Sequence, residues 1–219
     1  MRVGIIGMGH VGSALGSRWA SVGHEVVFGV RDPENRDKRS AASAMRASLG
    51  TLADAAQTDT ILLAVAWTAV PDALKAAGEL NGKVILDCTN PINSDLTKLT
   101  MGHDTSAGEV IAMMEPHARV VKIFNTTGAQ NMARAADYAP HKVTMFYAGN
   151  DAEANGLAAR LAADIGFEPI ELGPLKFARL LEPLAMTWLT LAAHRGFGPD
   201  FVLNVIRRPT KNGNHESHE

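Results

Sequence analysis

Between residues 4 and 16 the chain reads "GIIGMGHVGSALG", five glycines in thirteen positions. Glycine costs about 1 kcal/mol relative to alanine inside a helix, so a stretch this rich in it answers to geometry and not to propensity. It follows a short apolar run, "RVGII" (2–6), and opens a segment whose apolar positions Val11, Leu15, Trp19 and Val22 keep helical spacing. Gly7, Gly9 and Gly12 thus form G-x-G-x-x-G at a strand-to-helix joint. There the first glycine allows a tight turn, the second lets a phosphate approach the backbone, and the third lets the helix lie against the strand. A helix N-terminus adds unpaired N–H groups and the positive end of its dipole. Gly16, one turn on, suits close packing against a neighbouring element, and Gly23 stops the helix.

The rest of the chain repeats the alternation. "HEVVFGV" (24–30) reads as a second strand, "RDPENRDKR" (31–39) as a charged loop and "SAASAMRASLG" (40–50) as a helix of small residues. "TILLAVAW" (60–67) is a buried strand, and "TAVPDALKAAGEL" (68–80) a helix with Pro71 in its first turn. "KVILDC" (83–88) and "RVVKIF" (119–124) are strands, with a helix over 105–117 between them. A strand at 142–149, a helix at 151–166 and a last strand at 167–172 follow, and from Gly173 the pattern is helical only. Such alternation predicts an α/β fold whose parallel sheet is covered on both faces.

Composition narrows the function. With 219 residues, 46% of them hydrophobic and 20% charged, the chain buries a full core. A formal net charge of −2 leaves no electrostatic footprint for nucleic acid or an anionic membrane. The single cysteine, Cys88, excludes an internal disulfide and fits a reducing compartment; inside a strand it reads as a small hydrophobe. No signal peptide opens the chain and no apolar run reaches the roughly 18 residues of a membrane span, so a soluble cytoplasmic protein is expected. P-loop, metal-ligand spacing and nucleophile elbow are all missing from the sequence. His215 and His218 lie in a polar tail.

The glycine joint in this context predicts a dinucleotide site. Enzymes that use NAD place Asp or Glu at the end of the second strand, on the ribose 2′-OH. This chain has Val30-Arg31 there, and a guanidinium binds a 2′-phosphate that a carboxylate would repel. Arg36, Lys38 and Arg39 follow on the same loop, whereas Asp32, before Pro33, reads as a turn residue. NADP is therefore expected. Ligands of open α/β sheets bind beyond the carboxyl ends of the strands, which here carry Ala66-Trp67-Thr68, Thr89-Asn90-Pro91 and Phe124-Asn125-Thr126-Thr127. Core packing is the alternative for Trp67, and turn chemistry for Asn90 and Asn125. "LLEPLAMTWLTLAAH" (180–194) is expected to form a pocket wall or a dimer surface, with core packing the alternative for Met186 and Trp188; Glu182 within it needs a partner if buried.

Taken together, "GMGHVGSALG", "FGVRDP", "AVAWTAVPDAL", "DCTNPI", "VVKIFNTTGAQNM" and "ARLLEPLAMTWL" resemble the deazaflavin (coenzyme F-420)-dependent NADP oxidoreductases, over residues 1 to about 208. The resemblance implies a Rossmann-type doubly wound, mostly parallel sheet with a small helical C-terminal lobe, often dimeric. It divides the chain into an NADP-binding domain (1–173), a helical lobe (174–208) and a flexible tail (209–219). The cofactor site would fall on Gly7, Met8, Gly9, His10, Val11, Gly12, Val30, Arg31, Arg36, Ala66, Trp67, Asn90, Pro91, Phe124 and Asn125. The chain departs from the family pattern at Gly9-His10 and Val30, where the best-known members carry Thr and Ser. The implied reaction is hydride transfer between NADP(H) and a deazaflavin or flavin-like acceptor in a homodimer, with no in-line acid, base or nucleophile. A reductase of a small carbonyl or imine, or a non-catalytic NADP sensor, are the alternatives. The membrane ferric reductases carry a similar domain.

Overall fold

Short apolar runs without polar alternation must be buried on both faces. The structure, a computed structural model that describes residues 1–208, lays them side by side in one sheet. The strands are β1 (Arg2–Ile6), β2 (Glu25–Gly29), β3 (Ser48–Gly50), β4 (Thr60–Leu63), β5 (Val84–Asp87), β6 (Arg119–Lys122), β7 (Val143–Gly149) and β8 (Phe167–Glu171). Their order is β3-β2-β1-β4-β5-β6-β7-β8, so the winding reverses between β1 and β4. All neighbours are parallel except β6 and β7. The helices are α1 (His10–Ser21), α2 (Arg36–Ala44), α3 (Leu52–Ala55), α4 (Val70–Ala77), α5 (Ala107–Met114), α6 (Ala129–Ala133), α7 (Ala152–Asp164) and α8 (Ala178–Leu189). This is the doubly wound, mostly parallel Rossmann-type fold.

Adjacent residues of each strand feed opposite faces. Val3 and Ile5 of β1 join Leu15, Trp19 and Phe28 in one cluster, which extends to α7; Ile6 joins Ile61, Leu63 and Ile85 in the other, under α4 and α5. Trp19 is fully buried, and its Nε1 donates to Leu161 O at 2.9 Å, tying α1 to α7.

The structure redraws several boundaries. Half of the expected charged loop is helix: Asn35 accepts from the Lys38 amide and starts α2 at Arg36, so the helix expected over 40–50 begins earlier and yields to β3. Thr51 and Asp54 form a capping box that nucleates α3, an element too short for periodicity to reveal. The one antiparallel step has a plain cause. Between β6 and β7 the chain forms only the five-residue α6 and a 3-10 turn. A helix of that length spans about 8 Å, too little to return a strand to the opposite end of the sheet. Beyond Gly173 the chain is helical to His194, where α8 ends in a π-turn, but residues 195–208 hold no helix. That segment lies back on β7: Asn204 Oδ1 accepts from the Thr144 amide at 2.7 Å. The expected tail 209–219, with His215 and His218, lies outside the described residues. Among the described residues no helix is long and apolar enough to cross a membrane.

Candidate functional site

The reversal between β1 and β4 opens a crevice at the carboxyl ends of these strands, where the glycine turn sits. Each glycine has a separate physical role. Gly7 has a positive φ of 106°, and a Cβ on it would stand 2.4 Å from Ala64 O. A Cβ on Gly12 would stand 2.1 Å from Gly7 O, so the contact of α1 with the turn depends on its absence. Around Gly9 there is nothing within 4 Å of an added Cβ, and the residue caps α1 without a side-chain hydrogen bond. The turn is thus closed at Gly7 and Gly12 and open at Gly9, a fit for a phosphate against the first amides of α1. Gly16 packs as expected: its Cβ would meet Phe28 at 2.4 Å.

Two cavities meet at this turn. One, of about 590 Å³, runs from Gly7, Met8 and Gly9 past Val30 and Arg31 to Lys38, with Ala64, Val65 and Ala66 along its floor and Asp72 at its wall. The other, of about 660 Å³, extends from Met8, Gly9 and His10 to Ala129, Gln130 and Ala133 of α6. Among the four cations of residues 31–39, Arg31 and Lys38 face the first cavity. Arg39 is held by Glu34 at 2.8 Å and by the Pro33 carbonyl. Arg36, the first residue of α2, is exposed and does not line the cavity, whereas Lys38, two residues on, does. Asp32 accepts from the Glu34 amide at 3.1 Å, the turn role read for it.

The other strand exits divide. Ala66 lines the first cavity, while Trp67, half-buried, packs on the apolar cluster beneath α4. Val11 packs partly buried against the main cluster and Pro91 is buried. Phe124 leaves β6 in the left-handed region, φ 59°, with its ring edge-on to Trp19 and Phe167 at 5.6 and 6.2 Å; its side chain belongs to the core. Asn90 and Asn125 pair reciprocally. Asn90 Nδ2 donates to Asn125 O and Asn125 Nδ2 to Asn90 Oδ1, both at 3.0 Å, so two strand exits are stitched together. Asn125 Nδ2 also donates to Leu181 O at 3.0 Å. Asn125 Oδ1 and Thr89 Oγ1 are buried and have no hydrogen-bond partner among the described residues.

Glu182 has the partner its position demands. Lys122 Nζ lies 2.9 Å from Glu182 Oε1 and 2.9 Å from Asp87 Oδ2, and all three side chains are at most 1% exposed. Burial alone would lower the Lys122 pKa; the pull of Asp87 and Glu182 outweighs it and holds the ammonium above its usual range. Glu182 also accepts from the amides of Ala107 and Gly108 at 3.1 and 3.3 Å, which sets the extra negative charge against the N-terminus of α5. Sequence reasoning missed Asp87 and Lys122. The available signal was the acid of "KVILDC" and the lysine of "RVVKIF", each inside a run that must be buried. Burial pushes the Cys88 thiol far up, with the Asp87 charge adding to it, which keeps Cys88 a protonated thiol. Met186 and Leu191 line a separate surface groove of about 460 Å³, together with Leu99 and Pro183; Leu181 and Trp188 are buried within the chain.

Comparison with known proteins adds independent findings. A family described as NADP oxidoreductase, coenzyme F420-dependent, matches residues 2–91. Over 210 residues the chain is 30% identical to the F420-dependent NADP reductase of Methanothermobacter thermautotrophicus, with 87% of this chain and 89% of that protein covered. It is 28% identical over 214 residues to the rat metalloreductase STEAP3, covering 94% of this chain but 42% of that protein, so it spans less than half of that relative's length. A crystal structure from Arthrobacter sp. FB24, provisionally assigned as an F420-dependent NADP reductase, superposes with a TM-score of 0.86 at 30% identity, covering 94% of this chain and 100% of that one.

Proposed function

The chain belongs to the coenzyme F420-dependent NADP oxidoreductase family, and from that premise we propose that it exchanges a hydride between NADP(H), bound along the glycine turn, and a second flat redox ring, a deazaflavin of the coenzyme F420 type or a flavin. The observation that carries the reading is the crevice itself. Its turn is open only at Gly9 and its far end is faced by Arg31 and Lys38.

In this reading the amides of the first turn of α1 hold the pyrophosphate, and Gly9 leaves it room. Arg31 and Lys38 meet the 2′-phosphate. They supply by charge what the Thr and Ser hydroxyls, replaced here by Gly9-His10 and Val30, would supply by hydrogen bonding. Ala64 to Ala66 form an apolar floor, and the Asn90–Asn125 pair borders the nicotinamide end. When bound, NADPH would supply the chemistry, as a donor of a hydride that does not exchange with water. The chain's part is to bind, to orient and to exclude solvent. A homodimer is part of the reading, supported by Leu180, 58% exposed on α8, the helix whose Pro183, Met186 and Thr187 line a surface groove. Sedimentation of a 23.3 kDa monomer at micromolar concentration would overturn that part.

The test is NADPH carrying deuterium on the transferred face, mixed with protein and a deazaflavin, FMN or FAD. Deuterium is expected in the reduced acceptor. Label lost to water, or turnover confined to small carbonyls or imines, overturns the proposal.

A further inference from the structure

We propose that the buried Asp87–Lys122–Glu182 triad is a positioning device for the nicotinamide end of the site, holding the Asn90–Asn125 pair in register beneath α8. The inference rests on the functional reading above.

The argument begins with the strand register. Asp87 and Lys122 are the last residues of β5 and β6 and stand opposite each other. Asn90 and Asn125 lie three residues beyond each, and they too are paired, by two hydrogen bonds. The triad grips the intervening chain. Asp87 Oδ1 accepts from the Thr89 amide at 2.8 Å, and Lys122 Nζ donates to the Thr89 carbonyl. Thr89 is thus clamped through both of its backbone polar groups, one residue before Asn90. On the opposite side, Glu182 fixes α8 to Lys122 and to the start of α5, and its neighbour Leu181 offers the carbonyl that receives Asn125 Nδ2. Two strands and two helices therefore meet at one ammonium group.

Energy alone gives no reason for this arrangement, because a buried triad is often replaced by apolar side chains of similar volume without loss of stability. What apolar packing cannot supply is a fixed donor–acceptor geometry around Thr89 and Asn125. The two orphaned polar atoms of the region, Thr89 Oγ1 and Asn125 Oδ1, belong to the residues so held. Both atoms retain the capacity for a further hydrogen bond.

Glu182→Gln tests the proposal, because it keeps the shape and removes the charge. NADPH and 2′-phospho-ADP-ribose, which lacks the nicotinamide, are titrated against parent and variant. The fluorescence of bound NADPH then reports on the reduced ring, and single-turnover oxidation by a deazaflavin or flavin reports on the reaction. Affinity for both ligands is expected to stay within about threefold, while the ring fluorescence enhancement falls by about half and hydride transfer slows about tenfold, as misplacement of reacting groups predicts. Should the variant not fold, Asp87→Leu, Lys122→Met and Glu182→Leu together leave no stranded charge and serve the same comparison. Parent-like ring fluorescence and transfer rate in a folded variant overturn the inference and leave the functional reading intact. A parent protein that fails to bind NADPH overturns the reading and the inference with it.

Discussion

Two regions at the carboxyl ends of the strands are built on opposite principles. Around β1, β2 and α1 the surface is made of missing atoms: glycines at 7, 9 and 12, and the amides of a helix start. Around β5, β6, α5 and α8 the interior is made of buried charge, with Lys122 between Asp87 and Glu182 and a stitched asparagine pair above. The first region leaves open space by removing side chains. The second is held by hydrogen bonds that have to be satisfied together. The contrast suits a cofactor whose phosphates need backbone contact and whose ring needs a fixed orientation.

The hardest break falls at the charged end. Lys122→Met leaves two carboxylates buried without their cation and is expected to cost about 3–5 kcal/mol, a large share of a domain's net stability. Urea titration checks it, and a loss below about 1 kcal/mol would mean that the triad is easily relaxed. Next comes the phosphate end of the turn. Arg31→Ala is expected to weaken NADPH by about 1.5–3 kcal/mol and Lys38→Ala by the lower part of that range, with NADH almost unchanged for both. Arg36→Ala, on a residue outside the cavity lining, should change neither. Equal losses for NADPH and NADH on removing Arg31 would refute the assignment.

The glycines sharpen the comparison from within. Gly12→Ala should destabilise the fold by about 1–3 kcal/mol, since its Cβ would stand 2.1 Å from a backbone oxygen. Gly9→Val should leave the melting temperature almost unaltered, having open space and an extended φ of −82°, yet abolish NADPH binding. A Gly9 variant that binds normally would reduce the turn to a structural element. The smallest effect concerns Glu109, whose carboxyl is held below its usual range by the Arg179 guanidinium and by Ser106. A lowered folded-state pKa contributes stability above the unfolded value that is lost as pH falls through the folded one. Arg179→Ala should therefore lower stability slightly at pH 7, and parent and variant should converge as pH falls through the folded-state value of Glu109. A pH-independent difference would point to packing in place of charge.

Much of the fold was legible because the strands are continuous apolar runs and the glycine joint has one geometry. The glycine turn and Arg31, read from the sequence as one site, line one cavity, whereas the strand exits at Asn90 and Asn125 bond to each other and line neither cavity at the turn. Trp67 and Phe124 were legible as strand-exit residues, but whether their rings line a crevice or a core depends on which neighbours arrive. Arg36 and Lys38 were indistinguishable in a charged loop; the Asn35 cap, by starting α2 early, turned one outward and brought the other to the cavity. A loop and a first helical turn share the same composition, and only the cap decides between them.

By itself, then, the sequence determined the alternation of the longer strands and helices, the glycine turn at the first strand-to-helix joint and the absence of a carboxylate where NAD would need one. Local periodicity and steric demand carry those features, and both are written in adjacent residues. Only the tertiary structure decided that Asp87, Lys122 and Glu182 are one group. The β5–β6 register brings the first two together, and Glu182, 60 residues beyond Lys122, arrives with α8. Charge buried at a distance has no period and no motif, because its partner is chosen by the packing that excludes water from both.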